Sequence, residues 1–244
     1  MARIQVHGDA TLSEPTLIEG LPGAGLVGKI AADHLVRAFD MEYYAAVHCD
    51  GLPRVAVYGG NSSDVRPPVR LYADASSDLL VLQSDVPVSP SQAAGFAGCI
   101  TGWIDEMDAL PLYLSGLPEE KGDTPEMYGI ATGGADRLLE EAGIVQPRQD
   151  GMISGPTGAL LYRAAETNLD AVGLIVQTDP QFPDPEGARA LLKHGIEPIA
   201  GVEIDTKELI EKAGEIQAAR EQLAEQLQGA GDERSEAQPI RGFQ

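Results

Sequence analysis

Apolar positions along the chain switch repeatedly between two spacings. Runs of strand length occur at Thr16 to Ile18, Tyr43 to His48, Leu79 to Leu82, Leu112 to Leu114, Tyr128 to Ala131 and Ala171 to Val176. Between them, apolar residues recur every three or four positions over Leu26 to Ala38, Ser91 to Met107, Gly134 to Ala142, Thr157 to Asn168, Pro185 to Lys193 and Thr206 to Leu227. That spacing predicts helices. A further strand at Val55 to Tyr58 has a hairpin partner in Val69 to Tyr72, across the polar loop Gly59 to Pro68. Strands alternating with helices predict an α/β fold, a parallel or mixed sheet covered on both faces. No repeat of fixed period occurs.

Several boundaries have a chemical cause. Asp184 before Pro185 reads as an N-cap with proline at the first helical position, and Gly195 as the end of that helix. Ser89-Pro90-Ser91 opens the helix that carries Phe96, Ile100 and Trp103, with Trp103 a core anchor. Gly116 to Pro125, with two prolines and three acids, reads as an exposed loop.

The segment Gly20 to Leu35 offers three readings. Its first residues, after the run Thr16 to Ile18, form a glycine turn that opens a helix, a place where backbone N–H groups can receive an anion. Gly23, Gly28 and Lys29 fit most of a phosphate-cradling loop, but Ile30 stands where Ser or Thr must hold Mg²⁺. Gly23, Gly25 and Gly28 also fit the dinucleotide fingerprint, with Asp50 placed as its ribose-binding acid. Pro22 inside the turn and Glu19 beside the proposed pyrophosphate count against it. The third reading is physical only: the glycines let strand and helix pack closely.

Composition narrows the partners. Thirty-eight acids against 17 bases give a net charge of −21, and the acids are spread along the whole chain. Such a surface repels itself in dilute buffer and is relieved in molar salt, the pattern of an intracellular protein from a salt-loving source. No basic patch is evident in the sequence to neutralise phosphates, so no nucleic-acid partner is expected. Cys49 and Cys99 are too few for a disulfide framework or a cysteine-based metal site. No signal-like or membrane-length apolar run is present, so a cytoplasmic protein with no membrane contact is expected.

Catalytic constellations are thin. His7, His34, His48 and His194 have no metal-ligand spacing, and no nucleophile elbow occurs. His34 reads as a solvated or core-edge histidine. Ser154-Gly155-Pro156-Thr157-Gly158 is a second glycine turn at a helix start, with Thr157 a candidate anion donor beside a simple packing role. Asp179, Asp184 and Glu186 read as a solvated acidic loop before a cation site. No cofactor, catalytic residue or metal is assigned.

Taken together, two segments carry a resemblance. Gly20-Leu21-Pro22-Gly23-Ala24-Gly25-Leu26-Val27-Gly28, with Ala31, Ala32 and Leu35, resembles the opening motif of the proteasome assembly chaperone family. Ser154 to Leu161 with Ala164 and Ala165 resembles its second glycine motif, centred on Gly155, Thr157 and Gly158. Gln177-Thr178 and Pro183-Asp184-Pro185 resemble the segment that follows in archaeal members. The resemblance implies a three-layer α/β/α domain with a mixed, mostly parallel sheet, of phosphorylase- or hydrolase-like outline. It implies a non-enzymatic protein, a homo- or hetero-oligomer that binds proteasome α-subunits or the 20S core through C-terminal tails. The alternative of another class is an α/β nucleotide-binding enzyme built on Gly23 to Gly28; a third is an oligomeric scaffold without a proteasome role.

The expected organisation is a domain over 1–205, a C-terminal helix over 206–228 and a flexible tail over 229–244. Leu209, Ala213, Ile216, Leu223 and Leu227 form an a/d-like seam interrupted by Arg220. Docking tails of the family end in a hydrophobic residue, a tyrosine and any residue. Here Gly242 and Phe243 stand in the first two places, and Phe243 with the carboxylate of Gln244 forms the expected partner-binding element.

Overall fold

All six residues of β7, Leu79–Ser84, are buried, as only a strand covered on both faces can be. Along it Leu79 and Val81 enter one hydrophobic cluster and Leu80 and Leu82 the other. Leu17 and Ile18 divide in the same way, the two-residue period of a central strand. In the computed structural model, which describes residues 3–214 apart from 51, 60–62, 120, 121 and 123, ten strands, six helices with both ends described and the start of a further helix at 207 are laid down in three layers.

The strands are β1 (Arg3–Val6), β2 (Thr16–Gly20), β3 (Glu42–His48), β4 (Val57–Tyr58), β5 (Val65–Arg66), β6 (Val69–Asp74), β7, β8 (Leu110–Pro118), β9 (Met127–Thr132) and β10 (Ala171–Thr178). Eight of them form one mixed sheet in the order β1-β3-β6-β7-β2-β8-β10-β9. The central strands β7, β2, β8 and β10 are parallel, and the flanking pairs are antiparallel. Helices α1 (Val27–Ala38), α3 (Asp136–Glu141) and α5 (Pro185–Ala190) cover one face, α2 (Ala93–Glu106) and α4 (Gly155–Thr167) the other. The α/β/α layering expected from the sequence is present.

Three expectations are corrected. Val57–Tyr58 pairs with Val65–Arg66 in a separate two-stranded sheet, not with Val69 to Tyr72. β6 instead lies between β3 and β7, because its five buried leading residues need cover on both faces. The helix begun at Asp184 does not stop at Gly195. It runs on as a π-helical stretch, Leu191–Ile196, and α6, Glu197–Ala200, ending at Gly201 with φ +66. Gly195 is a packing glycine: a methyl there would stand 2.6 Å from Leu174 Cδ1. Residues 116–118 continue β8 instead of opening the predicted loop.

Residues 207–214 are helical and Leu209 is buried, so the predicted C-terminal helix begins on the domain's own core. The rest of that helix, the tail over 229–244 and the docking residues Phe243 and Gln244 lie outside the described residues. Cys49 and Cys99 form a disulfide that ties the end of β3 to α2. Among the described residues no helix is long and apolar enough to cross a membrane.

Candidate functional site

The two glycine turns, far apart in sequence, meet around one buried acid. β2 ends at Glu19 and Gly20, and a methyl at Gly20 would stand 2.1 Å from Ala32 Cβ. The missing side chain thus lets α1 cross close over the strand. Glu19 is fully buried and its carboxyl accepts from Leu21 N at 2.9 Å, Leu114 N at 3.1 Å and the Thr157 hydroxyl at 3.3 Å. Burial pushes this carboxyl up to about 7, while the three hydrogen bonds pull it down. Tyr113, buried on the neighbouring strand, has its hydroxyl pushed upward by burial and by the Glu19 charge.

The fingerprint glycines all have internal neighbours or none. Gly25 is left-handed at φ +60, and a methyl there would stand 2.0 Å from Thr178 Oγ1. Thr178 donates to Asp184 at 2.8 Å, and the Asp184 amide donates to the Gly25 carbonyl at 2.8 Å. In a dinucleotide site this glycine lets the backbone approach a pyrophosphate; here the protein's own Thr178 and Asp184 occupy that side. A methyl at Gly28 would stand 3.2 Å from Leu114 Cβ, so the helix start and β8 pack closely here. Gly23 is extended and exposed with nothing within 4 Å of a methyl, and Pro22 beside it is half-buried. Asp50 does not complete the fingerprint, because β6 and β7 separate β3 from β2. Lys29 pairs with Asp33 at 2.9 Å and Asp85 at 3.4 Å, so it cradles no phosphate.

At the second turn, Gly155 has φ +71, and a methyl at Gly158 would stand 2.1 Å from the Ile153 carbonyl oxygen. Thr157, a candidate anion donor by type, directs its hydroxyl to the buried carboxyl of Glu19 at 3.3 Å. Of the eight predicted turn residues, Gly20, Gly28 and Thr157 stand around Glu19, Gly25 packs on Thr178 and Gly158 on Ile153, Pro22 is half-buried, Gly155 is left-handed with open space beside it, and Gly23 is exposed. Sequence reasoning placed Glu19 only as an obstacle to a pyrophosphate. The available signal was an acid inside an otherwise apolar central strand.

Asp184 is a buried cap: it accepts from Gly187 N at 3.0 Å and from Thr178. Among the described residues no group of His, Cys, Asp or Glu could hold a metal ion. His34 is buried on α1 and donates from Nε2 to the Asp205 carbonyl at 2.6 Å, fastening the start of the C-terminal helix.

Beside the second turn, lined by the C-terminal half of β8 and by Ile175 of β10, lies a cleft of about 480 Å³. Open α/β sheets take ligands at this end. Its lining is mixed, with apolar Ile130, Ile153, Leu161 and Ile175 beside Glu119, Arg148 and Asp150, and Met152 on its loop is 90% exposed. Arg148 at the rim pairs with Glu126 at 3.1 Å, and the Tyr128 hydroxyl also donates to Glu126, which holds that carboxyl below its ordinary value. Ser115 lines the cleft without a histidine among the described lining residues. Among the described lining residues no nucleophile stands beside a histidine base.

Comparison with known proteins follows the same outline. Residues 17–224 match the PAC2 family. An uncharacterised protein of Methanocaldococcus jannaschii is 31% identical over 215 residues, covering 87% of this chain and 86% of that protein. Among solved structures, Pyrococcus furiosus PbaA, described as an archaeal homolog of proteasome-assembly chaperone, superposes with a TM-score of 0.78 at 24% identity, covering 95% of this chain and 94% of that one. Pyrococcus furiosus PbaB, described as an archaeal proteasome activator, superposes with a TM-score of 0.77 at 25% identity, covering 91% and 98%.

Proposed function

Since the chain belongs to the PAC2 family, we propose that it is a non-enzymatic proteasome assembly chaperone or adaptor. It binds α-subunits of the 20S core as a homo-oligomer and docks on the α-ring with its C-terminal residues. The observation that carries the non-enzymatic part is the filling of the glycine turn by Thr178 and Asp184, where a nucleotide enzyme would hold phosphate. The proteasome part is supported by the likeness to PbaA and PbaB and by the family type of the two glycine turns. The docking element is Phe243 with the Gln244 carboxylate. A pocket that buries one aromatic side chain gains roughly 1.5–3 kcal/mol, and repetition around an oligomer multiplies the effect.

Co-sedimentation with 20S α-rings tests this reading. Deleting residues 242–244, or changing Phe243→Ala, weakens co-sedimentation and leaves oligomer size and melting unchanged. A truncated protein that binds α-rings as tightly as the full chain removes the tail from the mechanism.

A further inference from the structure

The bases of this chain are few, and the fold collects several of them around a sulfur. β3 ends at His48, and the next residue, Cys49, is buried and bonded to Cys99 of α2. The end of β3, the edge strand β1 and the β4–β5 hairpin enclose a cleft of about 790 Å³, lined by Arg3, His48, Cys49, Arg54 and Arg66. Asp50 is the one acid among its described lining residues. Arg3 and Arg54 are exposed. Arg66 is held in place: its guanidinium lies 5.1 Å over the Tyr43 ring and donates to the Tyr72 hydroxyl at 3.1 Å. Three arginines against one acid run counter to a molecule of net charge −21. Cys99 is half-buried on α2 and is not among the described lining residues. The S–S bond therefore leads from the wall of the cleft to a sulfur outside it.

Thiol–disulfide exchange needs a thiolate that reaches one sulfur while the other leaves. A nucleophile in this cleft meets Cys49 with Cys99 behind it, the order that displacement requires. Clefts lined by one sign of charge concentrate small ions of the other sign. Two independent features, a disulfide in the wall and arginines around it, thus define the ligand as a thiol whose body carries a carboxylate or sulfonate. We propose that this cleft is the entry site for small anionic thiols, which open the Cys49–Cys99 disulfide by attack on Cys49 Sγ. The thiolate sulfur bonds to Cys49 Sγ and the Cys49–Cys99 bond breaks. Its electron pair leaves on Cys99 Sγ, which takes a proton from water. The arginines hold the anion of the mixed disulfide. A second thiolate then attacks the small-molecule sulfur, frees Cys49 as a thiolate and departs as the symmetrical small disulfide. Two small thiols are oxidised and the protein disulfide is reduced. The exchange unties the end of β3 from α2, and it is independent of the proteasome reading above.

Small thiols of opposite charge test this on the full-length protein: mercaptoethanesulfonate, which is anionic, and cysteamine, which is cationic. Each rate of protein disulfide opening is divided by that thiol's rate with the neutral hydroxyethyl disulfide, which removes intrinsic nucleophilicity. The reaction is run at neutral pH and the lowest salt where the fold is stable. Iodoacetamide traps free thiols, and mass spectrometry of intact protein and peptides reads the products. On this scale the anionic thiol opens the wild-type disulfide faster by about tenfold or more. The net charge of −21 alone would give the reverse order. The early adduct maps to Cys49 and the trapped thiol to Cys99. Arg3→Gln combined with Arg54→Gln removes the preference; both positions are exposed, and unchanged circular dichroism and melting show that the fold is kept. Equal rates, a faster cationic thiol, an early adduct on Cys99 or a preference that survives the double variant each overturn the proposal. So does a folded protein inert to both thiols.

Discussion

With a carboxyl held near neutrality by burial, Glu19 makes the stability of the domain depend on pH in a direction opposite to most acids. The native state keeps this proton up to about 7, whereas the unfolded chain releases it near 4.5. Between those values the native state binds more protons, so stability from this group falls as pH rises and is constant above that window. The full effect is at most about 3 kcal/mol. Denaturant unfolding at pH 5 and pH 8, compared between wild type and Glu19→Gln, isolates it: the wild type loses more stability than the variant on going to pH 8. Equal losses would show that Glu19 titrates normally. The glycines of the first turn separate in the same way by residue. Gly25→Ala forces a side chain onto a left-handed backbone and against Thr178 Oγ1, a loss of ~2–4 kcal/mol. Gly23→Ala enters open space from an extended conformation and changes stability by less than ~0.5 kcal/mol. Thermal melts of the two single variants check the contrast.

Elements that bury a regular stripe were legible in the sequence. α1, β3, α2 and β10 fall within a few residues of their predicted ends, because their apolar spacing is set by the face they bury. What failed depended on partners far away in the chain. β1 has only one residue that is not exposed, so it carries no apolar run to betray it; its place comes from pairing with β3. The hairpin partner of β4 was misassigned because the run Val69 to Tyr72 matches any neighbour in composition, and only the sheet order decides between them. Gly195 had the signature of a helix end, yet a close Leu174 was its cause. The glycine turns were legible as turns, but their meeting at Glu19 was not, since no local pattern reports a contact between distant strands. The disulfide belongs to the same class. It closes a loop of sequence separation 50 and ties β3 to α2, so breaking it frees the unfolded chain. Reduction, or Cys99→Ser, lowers unfolding free energy by up to about 4 kcal/mol. Urea denaturation with and without reductant measures this; no shift would mean that the thiols are unpaired in solution.

At the scale of the whole molecule, 38 acids against 17 bases place like charges across most of the surface. Coulomb repulsion among them opposes the compact state, and molar salt shortens its range to ~3 Å. Melting temperature therefore rises from dilute buffer to molar KCl, which a scanning-calorimetry series reads directly. A flat or falling series removes the molar-salt reading of the surface. The buried carboxyl that joins the two glycine turns also sets a clock. Thr157 follows Glu19 by 138 residues, a stretch that takes roughly 7 to 28 s to synthesise at ~5–20 residues per second. Throughout that interval β2 has been made while Thr157 has not; Glu19 lacks two of its three hydrogen-bond donors until Leu114, 95 residues on, is made, and one of them after that. The turn that comes first in the chain is thus among the last parts of the domain to be completed. A nascent chain stalled before α4 leaves that carboxyl without the Thr157 hydroxyl.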